Sequence, residues 1–176
     1  TFNGLDWPKT KATDDWSRQR QQQELTRMLD ALKDANINIV LFQARTRGVV
    51  AYGSAIESYD EVWSGRRGES PGYDPLAFAV EECHKRGMEC HAWVVAIPPA
   101  RGYRDPNDPY TAQYVAAICE EITRNYDIDG ISLDYIRYKD GANKGVPHAQ
   151  ACGNITRIVR EVNERVKGLK PWVKLS

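Results

Sequence analysis

Three aspartates lie within eight positions of one apolar stretch, and their side chains are the first candidates for chemistry. They are Asp127, Asp129 and Asp134, in the segment NYDIDGISLDYIRYK at residues 125–139. Carboxylates act as general acids, bases or nucleophiles, but they also close turns and accept backbone N–H groups. The place of each aspartate along the predicted strand should separate these roles.

Side-chain alternation along this strand favours Asp134 as the catalytic candidate. Ile131 and Leu133 share one face, which suits contact with a helix layer. Ser132 and Asp134 share the other face. A carboxylate inside a buried strand is costly unless it is hydrogen-bonded or solvated at a site. Asp134 is therefore the predicted catalytic carboxylate.

The other two aspartates fit structural roles. Asp127 falls in the turn before the strand, and Asp129 lies at the N-terminal edge, where it can accept backbone N–H bonds. For Asp134 itself, a nearby Arg137 would favour an ionised nucleophile, whereas aromatic walls would favour a general acid. A structural ion pair between Asp134 and Arg137 is the remaining alternative, and the sequence leaves all three open.

The elements that must position these residues alternate along the chain. Three-and-four apolar spacing predicts helices, and short β-branched runs predict strands. The predicted helices cover residues 17–35, 74–87, 108–126 and 148–167, and the predicted strands cover 37–45, 88–97, 128–138 and the segment from 172. This alternation is typical of parallel βαβ units, so the predicted class is α/β.

Polar residues late in the strands favour a (β/α)8 TIM barrel over an open doubly wound sheet. Gln43 and Arg45 share one face at the end of their strand, and His91 and Trp93 share one face of the next. In a barrel that face points into the lumen, and working residues gather at the C-terminal ends of the strands. Neither a G-x-G-x-x-G nor a phosphate-binding G-x-x-x-x-G-K-[ST] motif is present, which argues against nucleotide cofactors.

Composition narrows the class of partner. The 24 basic and 24 acidic residues balance, so no net field attracts nucleic acid or an anionic membrane surface. No apolar run approaches the ~20 residues that a membrane span needs. The Cys83-His84 and Cys90-His91 pairs invite a zinc interpretation, but a helix and a strand would hold them apart. We therefore expect no metal and no cofactor, and we expect the buried cysteines to act as small hydrophobic residues.

Four segments of the chain resemble a known family. They are GLDWP (4–8), NIVLFQARTRG (38–48), the block from YGSAIESYDEVW to CHAWVV (52–95) and YDIDGISLDYIRY (126–138). They resemble the glycosyl hydrolase-like 10 family, bacterial proteins of TIM-barrel fold. The resemblance implies export, often as a cell-envelope lipoprotein, and hydrolysis of glycan strands, with peptidoglycan stripped of its peptides among the substrates.

The resemblance and the strand phase agree on the candidates at the strand ends, and the loops add Tyr52 as an aromatic contact and Glu57 as a carboxylate. Asp134 is the catalytic candidate, and the substrate-binding candidates are Gln43, Arg45, Tyr52, Glu57, His91, Trp93, Tyr135 and Arg137. Trp93 is the best candidate for stacking on a sugar, because sugars present apolar C–H faces to aromatic rings. The alternatives are a hydrogen-bond network at the rim for Gln43 and Arg45, and lumen packing for His91 and Trp93.

Glycoside hydrolysis usually needs two carboxyl groups, and the sequence supplies one clear candidate. Within the chain the nearest candidates for the second are Glu57 and Asp74, although Asp74 precedes Pro75 in the manner of a helix N-cap. The competing prediction is a non-catalytic carbohydrate-binding domain.

Two departures from the family pattern bear on the architecture. The segment AIPPARGYRDPNDPY passes rapidly from the strand at 88–97 to the next helix, where similar proteins carry a long loop. If the strand at 37–45 is counted as the second of the barrel, the chain, residues 1–176, covers only strands 1 to 5, about half of a barrel of ~250 residues. We therefore expect the domain to continue beyond Ser176, and an exposed sheet edge in the half-barrel would favour self-association.

Overall fold

The computed structural model describes residue 1 and residues 6–176. The first two residues of the GLDWP motif lie outside this part, as does any strand at residues 2–5. The helices are α1 (Asp15–Asp34), α2 (Glu61–Ser64), α3 (Pro75–Lys85), α4 (Tyr110–Asn125) and α5 (His148–Leu169). The strands are β1 (Ile39–Thr46), β2 (Val49–Val50), β3 (Ser58–Tyr59), β4 (Glu89–Val95), β5 (Gly130–Asp134) and β6 (Lys174–Leu175). The four helices and four strands predicted from sequence are all present.

One sheet of six strands, in the order β3-β2-β1-β4-β5-β6, organises the described chain. β1, β4, β5 and β6 are parallel neighbours, and the two-residue β2 pairs antiparallel with the end of β1. Trp93 aligns with Ser132, and Val95 aligns with Asp134. The parallel strands follow chain order and are joined through helices, as in the succession of a (β/α) barrel.

The two faces of the sheet have different neighbours. Ala92, Val94 and Ile131 are fully buried in the core that also contains residues of α3, α4 and α5. The lumen face is open in this chain, and Leu41 remains 51% exposed there. Strand phase predicted this division correctly.

Local hydrogen bonds explain where the helices begin. Asp14 and Ser17 form a reciprocal capping box at the start of α1. The Asp74 carboxylate accepts from the Ala77 N–H at 2.9 Å, so the predicted N-cap of α3 is confirmed. Asp74 also accepts from the Tyr126 hydroxyl at 2.6 Å, which ties the start of α3 to the end of α4.

The burial of three cysteines agrees with the expectation from sequence. Cys83, Cys90 and Cys119 are buried, as predicted. Within residues 1 and 6–176, His, Cys, Asp and Glu side chains form no group of three or more that could hold a metal ion. In the same part of the chain, no helix is long and apolar enough to cross a membrane.

Candidate active site

Asp134 is the last residue of β5, and its carboxylate is held by two N–H donors. The indole Nε1 of Trp93 donates to Oδ2 at 3.0 Å, and the backbone N–H of Tyr135 donates to Oδ1 at 2.7 Å. The donors come from neighbouring strands, because β4 and β5 pair in parallel at this level. The carboxylate is therefore fixed in orientation at the C-terminal rim of the sheet.

The backbone turns sharply after Asp134. Tyr135 has φ of 51°, in the left-handed region that residues with a Cβ seldom enter. This conformation ends the strand and directs the Tyr135 N–H to the preceding side chain. A strained residue beside a rim carboxylate is a frequent feature of functional sites.

Arg137 does not pair with Asp134. Its guanidinium binds Asp140 at 2.8 Å and lies 5.3 Å from the centroid of the Tyr135 ring. The Arg137 side chain is 53% exposed, so this ion pair is a surface feature of small energetic value. The alternative of a buried Asp134–Arg137 pair is therefore wrong.

A shallow pocket of about 260 Å³ opens beside Asp134. Its lining residues are Leu41, Trp93, Ser132, Leu133 and Asp134. The structure thus brings together the predicted catalytic carboxylate and the predicted stacking ring. Gln43 is aligned with Trp93 on the adjacent strand and belongs to the same level of the lumen face.

His91 lies deeper in the lumen. It aligns with Gly130, four residues before the level of Asp134, or about 13 Å at ~3.3 Å per residue. Its Nε2 is 2.8 Å from Glu89 Oε2, and Glu89 also binds Lys174. His91 is therefore part of a polar network toward the N-terminal end of the strands, and the structure does not bring it to Asp134.

A Cβ on Gly130 would lie 2.5 Å from the His91 ring. Glycine is required there because the imidazole packs directly on the backbone of β5. This close approach explains why a strand begins with glycine at a position facing the lumen.

Arg45 and Glu57 form a buried ion pair. Arg45 Nε and Nη2 donate to the two Glu57 oxygens at 2.8 and 2.7 Å, and Nη1 donates to the carbonyls of Val95 and Ala96. Their side chains are only 1% and 4% exposed. Burial alone would lower the pKa of Arg45, but the hydrogen bond and charge of Glu57 raise it above its ordinary value.

The hydrogen bonds of Arg45 and Glu57 bear on the roles predicted for these two residues. The Tyr114 hydroxyl donates to Glu57 at 2.6 Å, so the carboxylate is surrounded by protein donors. The geometry favours the rim hydrogen-bond network that the sequence left open for Arg45, and it gives Glu57 a structural role in the loop after β2.

Tyr52 is fully buried and lies away from the pocket. Its ring contacts Tyr126 edge to face at 5.5 Å, and its hydroxyl donates to Glu121 at 3.2 Å. Burial and the Glu121 charge raise the pKa of Tyr52. The geometry therefore gives Tyr52 a packing role in place of the glycan contact predicted for it.

Glu121 on α4 was not selected from sequence. It accepts from the Tyr52 hydroxyl, from the Ser54 hydroxyl at 2.6 Å and from the Ala55 N–H at 2.7 Å. It therefore anchors the loop after β2 to α4. No sequence signal marks it, because its partners lie 66 to 69 residues away along the chain.

Asp129 has the structural role predicted for it. Its Oδ2 accepts from the backbone N–H of Cys90 at 2.8 Å and lies 2.9 Å from His84 Nε2. It therefore connects the N-terminal ends of β4 and β5 with α3. Asp127 is exposed in the turn before β5, also as predicted.

Comparison with solved structures confirms the fold class. An alpha-L-fucosidase from Paenibacillus thiaminolyticus matches 88% of this chain with a TM-score of 0.57 at 17% identity, and the match covers 29% of that protein. An alpha-fucosidase from Thermotoga maritima matches 86% with a TM-score of 0.53 at 14% identity, covering 34%. Such neighbours have TIM-barrel catalytic domains, so the chain is part of a (β/α)8 barrel.

Two curated relatives carry glycosyl hydrolase names. Glycosyl hydrolase YngK of Bacillus subtilis is 28% identical over 216 positions, which include 98% of this chain and 42% of that protein. Glycosyl hydrolase DigH of Escherichia coli is 27% identical over 230 positions, which include all of this chain and 52% of that protein. The chain thus spans about half the length of these relatives, and they carry internal residues that its 176 residues lack.

The family profile described as glycosyl hydrolase-like 10 matches residues 4–100, and this range is more than half of the chain. It contains β1 and β4, whose Leu41 and Trp93 line one side of the pocket beside Asp134. This chain therefore belongs to the glycosyl hydrolase-like 10 family.

Proposed function

We propose that the protein is a glycoside hydrolase that cleaves a polysaccharide, with Asp134 as a catalytic carboxylate. The observation that carries this proposal is the pair of N–H groups that fixes Asp134 beside Trp93 at the carboxyl end of β5. That end of a barrel strand is where catalytic residues of TIM-barrel enzymes lie. The family and the names of the curated relatives support the reaction class.

The pocket suits a sugar substrate. Cleavage of a glycosidic bond develops positive charge at the anomeric carbon, which a fixed carboxylate stabilises or traps covalently. Trp93 offers an aromatic surface to the apolar face of a sugar ring, and Gln43 lies on the adjacent strand. Tyr135 is 39% exposed at the rim, where a second ring could be contacted.

We propose glycan strands of the cell envelope, peptidoglycan among them, as the substrate. The support is the resemblance of the chain to its family. We likewise propose that the protein is exported to the periplasm or cell envelope. Fractionation of the producing cells tests this part: recovery of the native protein only with cytoplasmic markers would contradict it.

The second carboxylate of a glycosidase pair is not among the candidates in this chain. Glu57 is engaged by Arg45, and Asp74 caps α3. Glu89 faces the lumen six residues before the level of Asp134, or about 20 Å at ~3.3 Å per residue. Catalytic pairs are separated by ~5 to 9.5 Å, so we propose that barrel strands outside this chain supply the partner.

The rival function is a non-catalytic carbohydrate-binding domain. It is favoured by one observation: of the carboxylates described, Asp134 alone ends a parallel strand. This domain would bind glycan saturably and release no product.

The decisive experiment measures glycan-fragment release by the full-length protein and its Asp134→Asn variant. Asp127→Asn is the matched control, since Asp127 lies in the same segment but is exposed in a turn. The proposal predicts that Asp134→Asn loses nearly all product formation while Asp127→Asn retains it. Binding without product in the wild type would establish the rival.

A further inference from the structure

The indole N–H of Trp93 has one acceptor in the described structure, and that acceptor is the Asp134 carboxylate. The Nε1–Oδ2 distance is 3.0 Å, and the two residues are 41 positions apart in sequence. Trp93 sits within β4, paired with Gln43 on one side and Ser132 on the other. A tryptophan on a central strand is a rigid platform, so the direction of its N–H is set by the sheet.

The Tyr135 N–H supplies the second restraint. It donates to Oδ1 at 2.7 Å from a backbone with φ of 51°. One donor thus binds each oxygen of Asp134, and neither donor can accept a proton. The two hydrogen bonds therefore fix the plane of the Asp134 carboxyl group.

We propose that Trp93 is a positioning residue, whose indole N–H holds the Asp134 side chain in the orientation that its catalytic role requires. This inference rests on the proposed function. It adds that Trp93 contributes through a polar atom as well as through its ring.

Replacing Trp93 by phenylalanine separates the two contributions. Phenylalanine keeps an aromatic face for stacking and removes the N–H. Hydrogen bonds to charged groups are worth enough that kcat should fall by about ten- to hundredfold. KM should change little, because the ring remains.

Two companion variants give the test its controls. Trp93→Ala removes the ring as well, so KM should rise in addition to the fall in kcat. Trp16→Phe makes the same exchange at a tryptophan that is 72% exposed on α1, and it should leave kcat and KM unchanged. Thermal unfolding of each variant identifies any loss that comes from misfolding.

The outcomes separate this inference from the function on which it rests. If Asp134→Asn is fully active, the proposed function is wrong. If Asp134→Asn is inactive while Trp93→Phe keeps the kcat of the wild type, Trp93 acts through its ring alone and the positioning role is overturned. A fall in kcat at constant KM in Trp93→Phe supports the positioning role.

Discussion

Replacing Glu57 by glutamine should strongly destabilise the protein, because it would leave Arg45 charged and unpaired in the interior. Glu57 accepts three hydrogen bonds, two from Arg45 and one from Tyr114, at 2.6 to 2.8 Å. Removing one partner of a buried ion pair costs about 3–5 kcal/mol. The glutamine oxygen can still accept from one donor, so we expect the lower end, about 3 kcal/mol.

This cost converts into a measurable change in melting temperature. For a domain of 150–250 residues, 1 kcal/mol corresponds to about 2–4 °C, so the variant should melt roughly 6–12 °C lower. Urea unfolding followed by far-UV circular dichroism gives the free energy directly. Glu69→Gln is the matched control, since the Glu69–Arg66 pair is a surface contact of 3.7 Å and its loss should cost less than ~0.5 kcal/mol.

A double variant completes the test. Arg45→Met with Glu57→Leu removes both charges and should be more stable than Glu57→Gln alone, because no buried charge remains unpaired. The reasoning fails if Glu57→Gln unfolds within about 0.5 kcal/mol of the wild type.

Three further outcomes follow from other parts of the structure. Gly130→Ala should destabilise the protein by about 1–3 kcal/mol, because the added Cβ would clash with the His91 ring. Gly153→Ala is the control, since its Cβ would meet nothing within 4 Å and the change should be neutral or stabilising. Equal urea midpoints for the two variants would contradict the close packing of His91 on Gly130. Burial alone would raise the pKa of Glu82, but hydrogen bonds from Lys85 and Arg86 hold it below its ordinary 4.5. The contribution of Glu82 to stability is therefore present above pH 4.5 and is lost as the pH falls below that value. The urea midpoint should therefore drop less on acidification in Glu82→Gln than in the wild type. The same drop in both proteins would contradict this role of Glu82. The open lumen face, with Leu41 51% exposed, predicts that the 176-residue chain self-associates; a monodisperse monomer in light scattering would refute this.

Much of the fold followed from short-range patterns. The apolar periods placed the helices and strands, and the two-residue phase of β5 put Ile131 in the core and Asp134 at the rim. Asp74 was identified as an N-cap because capping depends on residues only three positions apart. These features need no knowledge of how distant segments meet.

The features that sequence did not reveal depend on distant contacts. Arg45 and Glu57 meet because the loop after β2 folds back over the end of β1, and Glu121 reaches that loop from α4. The hydrogen bond from Trp93 to Asp134 joins residues on adjacent strands, whose register cannot be read from either strand alone. The left-handed backbone of Tyr135 was also hidden, because tyrosine rarely marks such a turn.

The central claim is that Asp134 carries the chemistry of a glycoside hydrolase. The most direct measurement is the rate of glycan-fragment release by full-length Asp134→Asn, compared with Asp127→Asn under the same conditions. We predict a fall of about 10²–10⁴-fold for Asp134→Asn, as expected for loss of a catalytic carboxylate, and an unchanged rate for Asp127→Asn. Equal rates for the two variants would contradict the assignment.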